Sequence, residues 1–128
     1  RKKYICKKQI KKGISGTKEL LKEFKRGTSI ALMVDQRVSE GIKSNLFGKE
    51  ALTTTIPAQF IKKFNASVVP IHIERLVDDT FKLKIQESIK FSNDKTVNEI
   101  TQKLNNVLEK MIITNPDQWT WTHNRWKI

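Results

Sequence analysis

Apolar positions recur along this chain with two different periods, and each period marks a kind of element. In "GTKELLKEFKRG", Leu20, Leu21 and Phe24 fall at i, i+1 and i+4, with Lys18, Glu19, Lys22 and Glu23 on the outer faces and Gly27 as a stop, the pattern of an amphipathic helix. "TSIALMVDQR" is a short, nearly uninterrupted apolar run ending in charge, which predicts a strand covered on both faces. "VSEGIKSNLFGKEA" has two glycines and no period, and reads as a loop. "ALTTTIPAQFIKKFN" reads as a helix, with Pro57 near its first turn and Asn65 at its end. "ASVVPIHIER" predicts a second buried strand, and "TFKLKIQESIKF" alternates like a half-exposed one. Val97, Ile100, Leu104, Val107, Leu108 and Met111 then stand at helical spacing, and Pro116 stops that helix or opens the next turn.

The order is therefore helix, strand, loop, helix, strand, strand, helix, tail. Helices between apolar strands predict an α/β domain with a central mixed, mostly parallel sheet flanked by helices. We expect one domain over residues 1–128: a basic helical segment at 1–27, a sheet core at 28–90, and a C-terminal helix with a tryptophan-rich tail at 91–128.

Composition narrows the class. With 128 residues, 38% hydrophobic and 30% charged, the chain has the make-up of a globular domain with a modest core. Its one cysteine, Cys6, excludes an internal disulfide and offers no metal pair, so no cofactor or metal is expected, and a cytosolic exposure is. The longest uncharged stretch, "ALTTTIPAQFI", is eleven residues, short of the roughly 18 a spanning helix needs. "RKKYICKKQIKKG" lacks the apolar stretch of a signal peptide. The chain opens on Arg1 without an initiator methionine, and we expect a piece of a longer protein.

The net charge of +12 is unevenly placed: residues 1–27 hold eleven Lys/Arg against Glu19 and Glu23. A field of that sign attracts phosphate, on nucleic acid or on a lipid headgroup; the plainer alternative is a solvated face. Two predicted strand ends carry charge where α/β sheets concentrate function. One bears Asp35, Gln36 and Arg37, the other His72, Glu74 and Arg75. Such a pairing of acid and guanidinium positions a phosphate or polar headgroup, or forms a structural salt bridge. His72 reads as a packed histidine within an apolar strand and His123 as a donor to a carbonyl. No G-x-S-x-G elbow is present.

Three stretches, in order, resemble one family. "MVDQRVSEGIKSNLFGKEALTTTIPAQF" is similar to the "DQ…G…FFG…A.T…PA" block of the lipid A biosynthesis acyltransferases, the lauroyl/myristoyl transferases of Gram-negative bacteria. "VVPIHIER" resembles the family's "VVP…R" strand, and "NNVLEKMIITNPDQWTWTHNRWKI" its closing "N…E..I...P.QW.W.H.RWK" signature. The resemblance runs from about Gly13 to Ile128. The matching positions are Asp35, Gln36, Gly41, Phe47, Gly48, Ala51, Thr53, Thr54, Pro57 and Ala58, then Val69, Pro70 and Arg75, then Glu109, Pro116, Gln118, Trp119, Trp121, His123, Arg125, Trp126 and Lys127. Leu46 stands where the motif has a second Phe.

The resemblance implies the C-terminal half of a glycerolipid-acyltransferase-like fold. The parent reaction it implies is transfer of a fatty acyl chain from acyl carrier protein, the donor, to a hydroxyl of a lipid A precursor at the cytoplasmic face of the inner membrane. Asp35 and Gln36 take the place of the block where related enzymes recognise the acceptor. With Arg37, Gly41, Thr53, Thr54, Arg75 and Arg125 they are the expected substrate-binding residues. The family's catalytic histidine and acid lie upstream: no H-x-x-x-x-D or H-x-x-x-x-E occurs here, because His72 is followed at the fifth position by Val77 and His123 by Ile128. The fragment is thus expected to be inactive alone, lacking both its base and the family's membrane anchor. Expected partners are acyl carrier protein, the lipid A precursor and an anionic membrane surface, with the lysine-rich 1–27 segment as a dock for the acidic carrier or lipid.

A different reading is a basic single-stranded nucleic-acid-binding module, with Lys2 to Lys12 on phosphates and the tryptophans stacking on bases. Against it, lysines and tryptophans stand at opposite chain ends, and no nucleic-acid partner is expected. Trp119, Trp121 and Trp126 share no regular period. They are expected to wedge between the last helix and the sheet, each burying on the order of 200 Å² and needing a partner for its N–H.

Overall fold

A computed structural model describes residues 9–10 and 13–127. Cys6 and seven of the eleven Lys/Arg residues of the 1–27 segment lie outside the described residues. The chain divides into two compact units, with the boundary between Met33 and Val34.

The first unit holds α1, Ile14–Lys25. Leu20, Leu21 and Phe24 are half-buried on one face, as their spacing predicts. Gly27, at φ 84°, ends the helix: its N–H donates to the Phe24 carbonyl, and that of Thr28 to the Glu23 carbonyl. This left-handed C-terminal cap closes without strain only at glycine. The apolar run that follows forms no strand, and Met33 is 79% exposed. A buried strand needs a hydrogen-bonded neighbour, and among the described residues this run finds none.

The second unit begins with a hairpin where a loop was expected. β1, Ile42–Leu46, pairs antiparallel with β2, Lys49–Thr53. Ser44, Leu46, Ala51 and Thr53 point inward, a period-2 pattern interrupted by polar inward residues and so easily missed. The turn residues Phe47 and Gly48 both have positive φ, 52° and 73°, as a two-residue hairpin turn requires. Phenylalanine is a poor sequence signal for such a turn. It is held from outside, its N–H donating to Glu109 Oε1 and its ring lying 6.3 Å from that of Trp121.

Next, α2 spans Ile56–Phe64, with Pro57 in its first turn and Asn65 left-handed at its end. The predicted helix is thus shorter at its start, where Ala51–Thr53 belongs to β2. α3, Val97–Thr114, opens with a capping box: Thr96 Oγ1 accepts from the Glu99 N–H, and Glu99 Oε2 from the Thr96 N–H. Pro116 opens a short 3-10 turn, Pro116–Gln118. The core lies between the two helices, with Ala58, Ile61 and Ile100 buried and Val68, Phe91, Val97 and Leu104 packed around them.

β3, Ile71–Arg75, pairs antiparallel with β4, Phe81–Ile85. The α/β class is as expected, but the central, mostly parallel sheet is not formed: the described strands make two separate antiparallel pairs. The reason is proximity, since each strand pairs with its sequence neighbour across a short turn and no crossover helix brings two strands parallel. β3 is also not buried, for Ile71 and Ile73 are both more than half exposed.

The capping box carries two expectations. Thr96→Ala should lower stability by about 1 kcal/mol in urea unfolding. Hydrogen bonds from the Thr96 backbone, Lys95 and the Thr96 hydroxyl hold the Glu99 carboxyl down from 4.5 to about 2. Its contribution to stability should therefore be complete above pH 4.5 and fade as pH falls through about 2. Glu99→Gln should flatten the stability-against-pH curve in that window.

Candidate functional site

The Val34–Gly41 loop is held between the end of β2 and the C-terminal tail. Val38 donates its N–H to the Leu52 carbonyl and Gly41 its own to Val38. Gly41 lies so close to β2 that a Cβ there would stand 2.4 Å from the Thr53 carbonyl oxygen, so only glycine fits. On the other side the Arg37 N–H donates to His123 Nε2 at 3.2 Å, and Arg37 Nε to the Lys127 carbonyl. Arg37 Nη1 also reaches Ser39 Oγ at 3.1 Å. His123 was expected to donate to a carbonyl; instead its Nε2 accepts from the backbone, which puts the ring proton on Nδ1.

Arg125 is fully buried beneath this loop. Its Nη1 donates to the Leu52 carbonyl at 2.7 Å and its Nη2 to Thr53 Oγ1 at 2.8 Å. Burial pulls the guanidinium below the ordinary arginine value, and the Asp35 carboxylate pulls it back up. Asp35 Oδ1 and Arg125 Nε are both buried without a hydrogen-bond partner, so the two charges act through space and not through a closed ion pair. Thr53 is tied further, accepting from Asn105 Nδ2 and donating to the Ala51 carbonyl. Asn105 also reaches Ser44 Oγ and the Asn45 carbonyl, and Gln102 Oε1 accepts from Ser44 Oγ and from the Asn45 N–H. A polar seam of α3 thus holds the first hairpin in register with the loop.

Of the expected site residues, the fold brings Asp35, Arg37, Gly41, Thr53 and Arg125 together. Gln36 is exposed on the same loop. Thr54 adjoins Thr53 and accepts the Ile56 N–H at the entry to α2. Arg75 stands elsewhere, at the end of β3, where its backbone exchanges hydrogen bonds with the Gln118 amide and its guanidinium meets Asp79 at 2.7 Å. With Glu74, Asn115 and Gln118 it lines an open cleft of about 490 Å³. His72 is half-buried on β3, opposite Lys84. Among the described residues no three His, Cys, Asp or Glu side chains converge as metal ligands.

The tail that carries Arg125 is an aromatic cluster. The rings of Trp119 and Trp121 meet edge to face at 4.6 Å, those of Trp119 and Trp126 at 5.9 Å, and Trp121 stacks on Trp126 at 6.2 Å. Trp126 Nε1 donates to the Leu46 carbonyl and Trp121 Nε1 to that of Pro116. The indoles therefore pack on one another as well as on β1. Sequence reasoning missed Asn105, Gln102 and the part played by His123. The one available signal was the closeness of His123, Arg125 and Lys127 along the tail.

Replacing Arg125 by Met should remove a donor from the Leu52 carbonyl and from Thr53 Oγ1 and leave the buried Asp35 carboxylate without its counter-charge. We expect a loss of about 3 kcal/mol in urea unfolding and faster hydrogen exchange at the Arg37 amide. Arg125→Lys should not restore either, because a single ammonium cannot serve two acceptors in the fork geometry.

No described helix is long and apolar enough to cross a membrane. No curated protein matches the chain. A profile of the bacterial lipid A biosynthesis acyltransferases matches residues 5–128. The loop, the β2 end and the tail that meet around Arg125 all lie within that match, and the chain belongs to the bacterial lipid A biosynthesis acyltransferase family.

Proposed function

We propose that this chain forms the substrate-holding part of an acyltransferase that moves a fatty acyl group from acyl carrier protein to a hydroxyl of a lipid A precursor. The observation that carries the reading is the meeting of the Asp35–Gly41 loop with the tail of His123, Arg125 and Lys127, two blocks separated by some 80 residues of sequence and joined by hydrogen bonds. In this reading Gln36, Arg37 and Thr54 face the anionic sugar headgroup, with Gly41 allowing the loop's close approach. Asp35, Thr53 and the buried Arg125 set the loop's shape. Arg75, beside its cleft, holds a second polar part of a substrate.

The reaction is attack of the acceptor hydroxyl on the thioester carbonyl. The C–O ester bond forms, the C–S bond breaks, and the hydroxyl proton passes to a general base. The histidine and acid of an H-x-x-x-x-D/E pair are supplied from outside these residues, whose two histidines lack that spacing. The excess of lysine in residues 1–27 suits an acidic carrier protein or an anionic bilayer, in keeping with work at the cytoplasmic face of the inner membrane. Among the described residues the three indoles pack against one another, which leaves less aromatic surface for stacking on single-stranded nucleic acid.

In the complete enzyme, assayed with acyl carrier protein thioester and a lipid A precursor, Asp35→Ala and Arg75→Ala should each lower turnover at least tenfold while circular dichroism stays unchanged. Full activity in both would remove these residues from the site. The isolated 128-residue chain should transfer no acyl group, and a measured rate from it would place the base within these residues.

A further inference from the structure

The Thr53 hydroxyl is the junction between α3 and the buried cation. Its oxygen accepts from Arg125 Nη2 at 2.8 Å and from Asn105 Nδ2 at 3.3 Å, and its proton goes to the Ala51 carbonyl at 3.1 Å. One donated and two accepted bonds use up what a hydroxyl can make, so each partner restricts the direction left for the others. Thr53 and Asn105 are 3% and 2% exposed, and bulk water does not compete for these bonds.

Of the two groups that receive the Arg125 guanidinium, only one can turn. The Leu52 carbonyl belongs to the backbone of β2 and also takes the Val38 N–H. The Thr53 hydroxyl can swing to another rotamer about χ1 unless something holds it. Asn105 holds it from the helix side, with Nδ2 also 3.1 Å from Ser44 Oγ and 3.0 Å from the Asn45 carbonyl. Gln102, one turn earlier on α3, bonds Ser44 and Asn45 too. Among the described residues, however, Asn105 is the one side chain of α3 that bonds Thr53. Both amides hold the hairpin, and Asn105 also ties it to the guanidinium. Without the Asn105 amide, Ser44 Oγ and the Asn45 carbonyl keep Gln102, and Thr53 Oγ1 keeps Arg125. The hairpin should therefore survive that loss, and what changes is the direction of one hydroxyl.

We propose that Asn105 is a positioning residue for the lipid substrate. It fixes the Thr53 hydroxyl, the hydroxyl orients the Arg125 guanidinium, and the guanidinium sets the Asp35–Gly41 loop against which the anionic headgroup lies. The inference rests on the acyl-transfer reading of that loop. Because the relay ends at the loop, Asn105 acts on binding of the lipid and not on the carrier thioester or the bond-making step.

Steady-state kinetics of the complete enzyme test it. Asn105→Leu, similar in shape and without a donor, should raise KM for the lipid A precursor roughly three- to tenfold, the worth of one neutral hydrogen bond. The kcat and the KM for the carrier thioester should stay unchanged, the signature of lost binding that is equal in ground and transition states. Gln102→Leu, which loosens the same hairpin without reaching Thr53, should leave the lipid KM unchanged. In a Thr53→Val background, Asn105→Leu should add nothing further, since the two act as one unit. An unchanged lipid KM in Asn105→Leu, a fall in kcat instead, an equal rise in Gln102→Leu, or additivity with Thr53→Val would each overturn the proposal. Arg37→Ala separates it from the reading beneath: an unchanged lipid KM there means that the loop does not hold the lipid. A raised one beside an unaffected Asn105→Leu removes only the role of Asn105. Should Asn105→Leu fail to fold, hydrogen exchange of the wild-type side-chain amides decides. By linkage, bound lipid precursor should slow exchange at Asn105 Nδ2 and not at Gln102 Nε2, and equal slowing at both, or none at Asn105, would sink the proposal.

Discussion

One buried cation organises the second unit. Arg125 arrives from the tail and inserts its guanidinium under the 34–41 loop, where the Leu52 carbonyl and the Thr53 hydroxyl receive it. Removing such a group from water is costly unless its donors are met and a counter-charge is near. Here the carbonyl and hydroxyl meet two donors and the Asp35 carboxylate supplies the field. Leu52 O serves Val38 as well as Arg125, so loop, strand end and tail converge on one peptide group. A shift in any of the three disturbs the other two.

The aromatic cluster and the polar seam of α3 serve that arrangement from opposite sides. Trp126 is pinned to the Leu46 carbonyl next to the residue that delivers Arg125. Asn105 holds Ser44, Asn45 and Thr53 from the helix side. Glu109, one turn further along α3, closes the Phe47–Gly48 turn. Directional polar contacts of this kind define register more sharply than apolar packing does. By contrast the β3–β4 hairpin has apolar side chains outward and is tied to the rest through Asn115 and Gln118.

What could be read from the chain alone was local periodicity and its punctuation. The three helices, the stop at Gly27, the first-turn Pro57 and the turn opened by Pro116 follow from residue spacing and backbone restrictions within a few positions, and the family blocks were legible as residue patterns. Pairing was not. An apolar run such as Ile30–Val34 states that a strand could form but not that a neighbour is present. The alternation in Phe81–Ile85 identifies two faces without saying which one meets the core. Likewise the letters of the tail show a histidine, an arginine and a lysine, but not that they close on Arg37, Asp35 and Thr53 some 70 to 90 residues away. Those contacts depend on where distant segments end up, and no spacing along the chain encodes that. The sequence by itself determined the helices, their caps and the family; the tertiary structure alone decided which charges are buried, which apolar face is open, and that Arg125 acts from beneath the loop instead of at its surface.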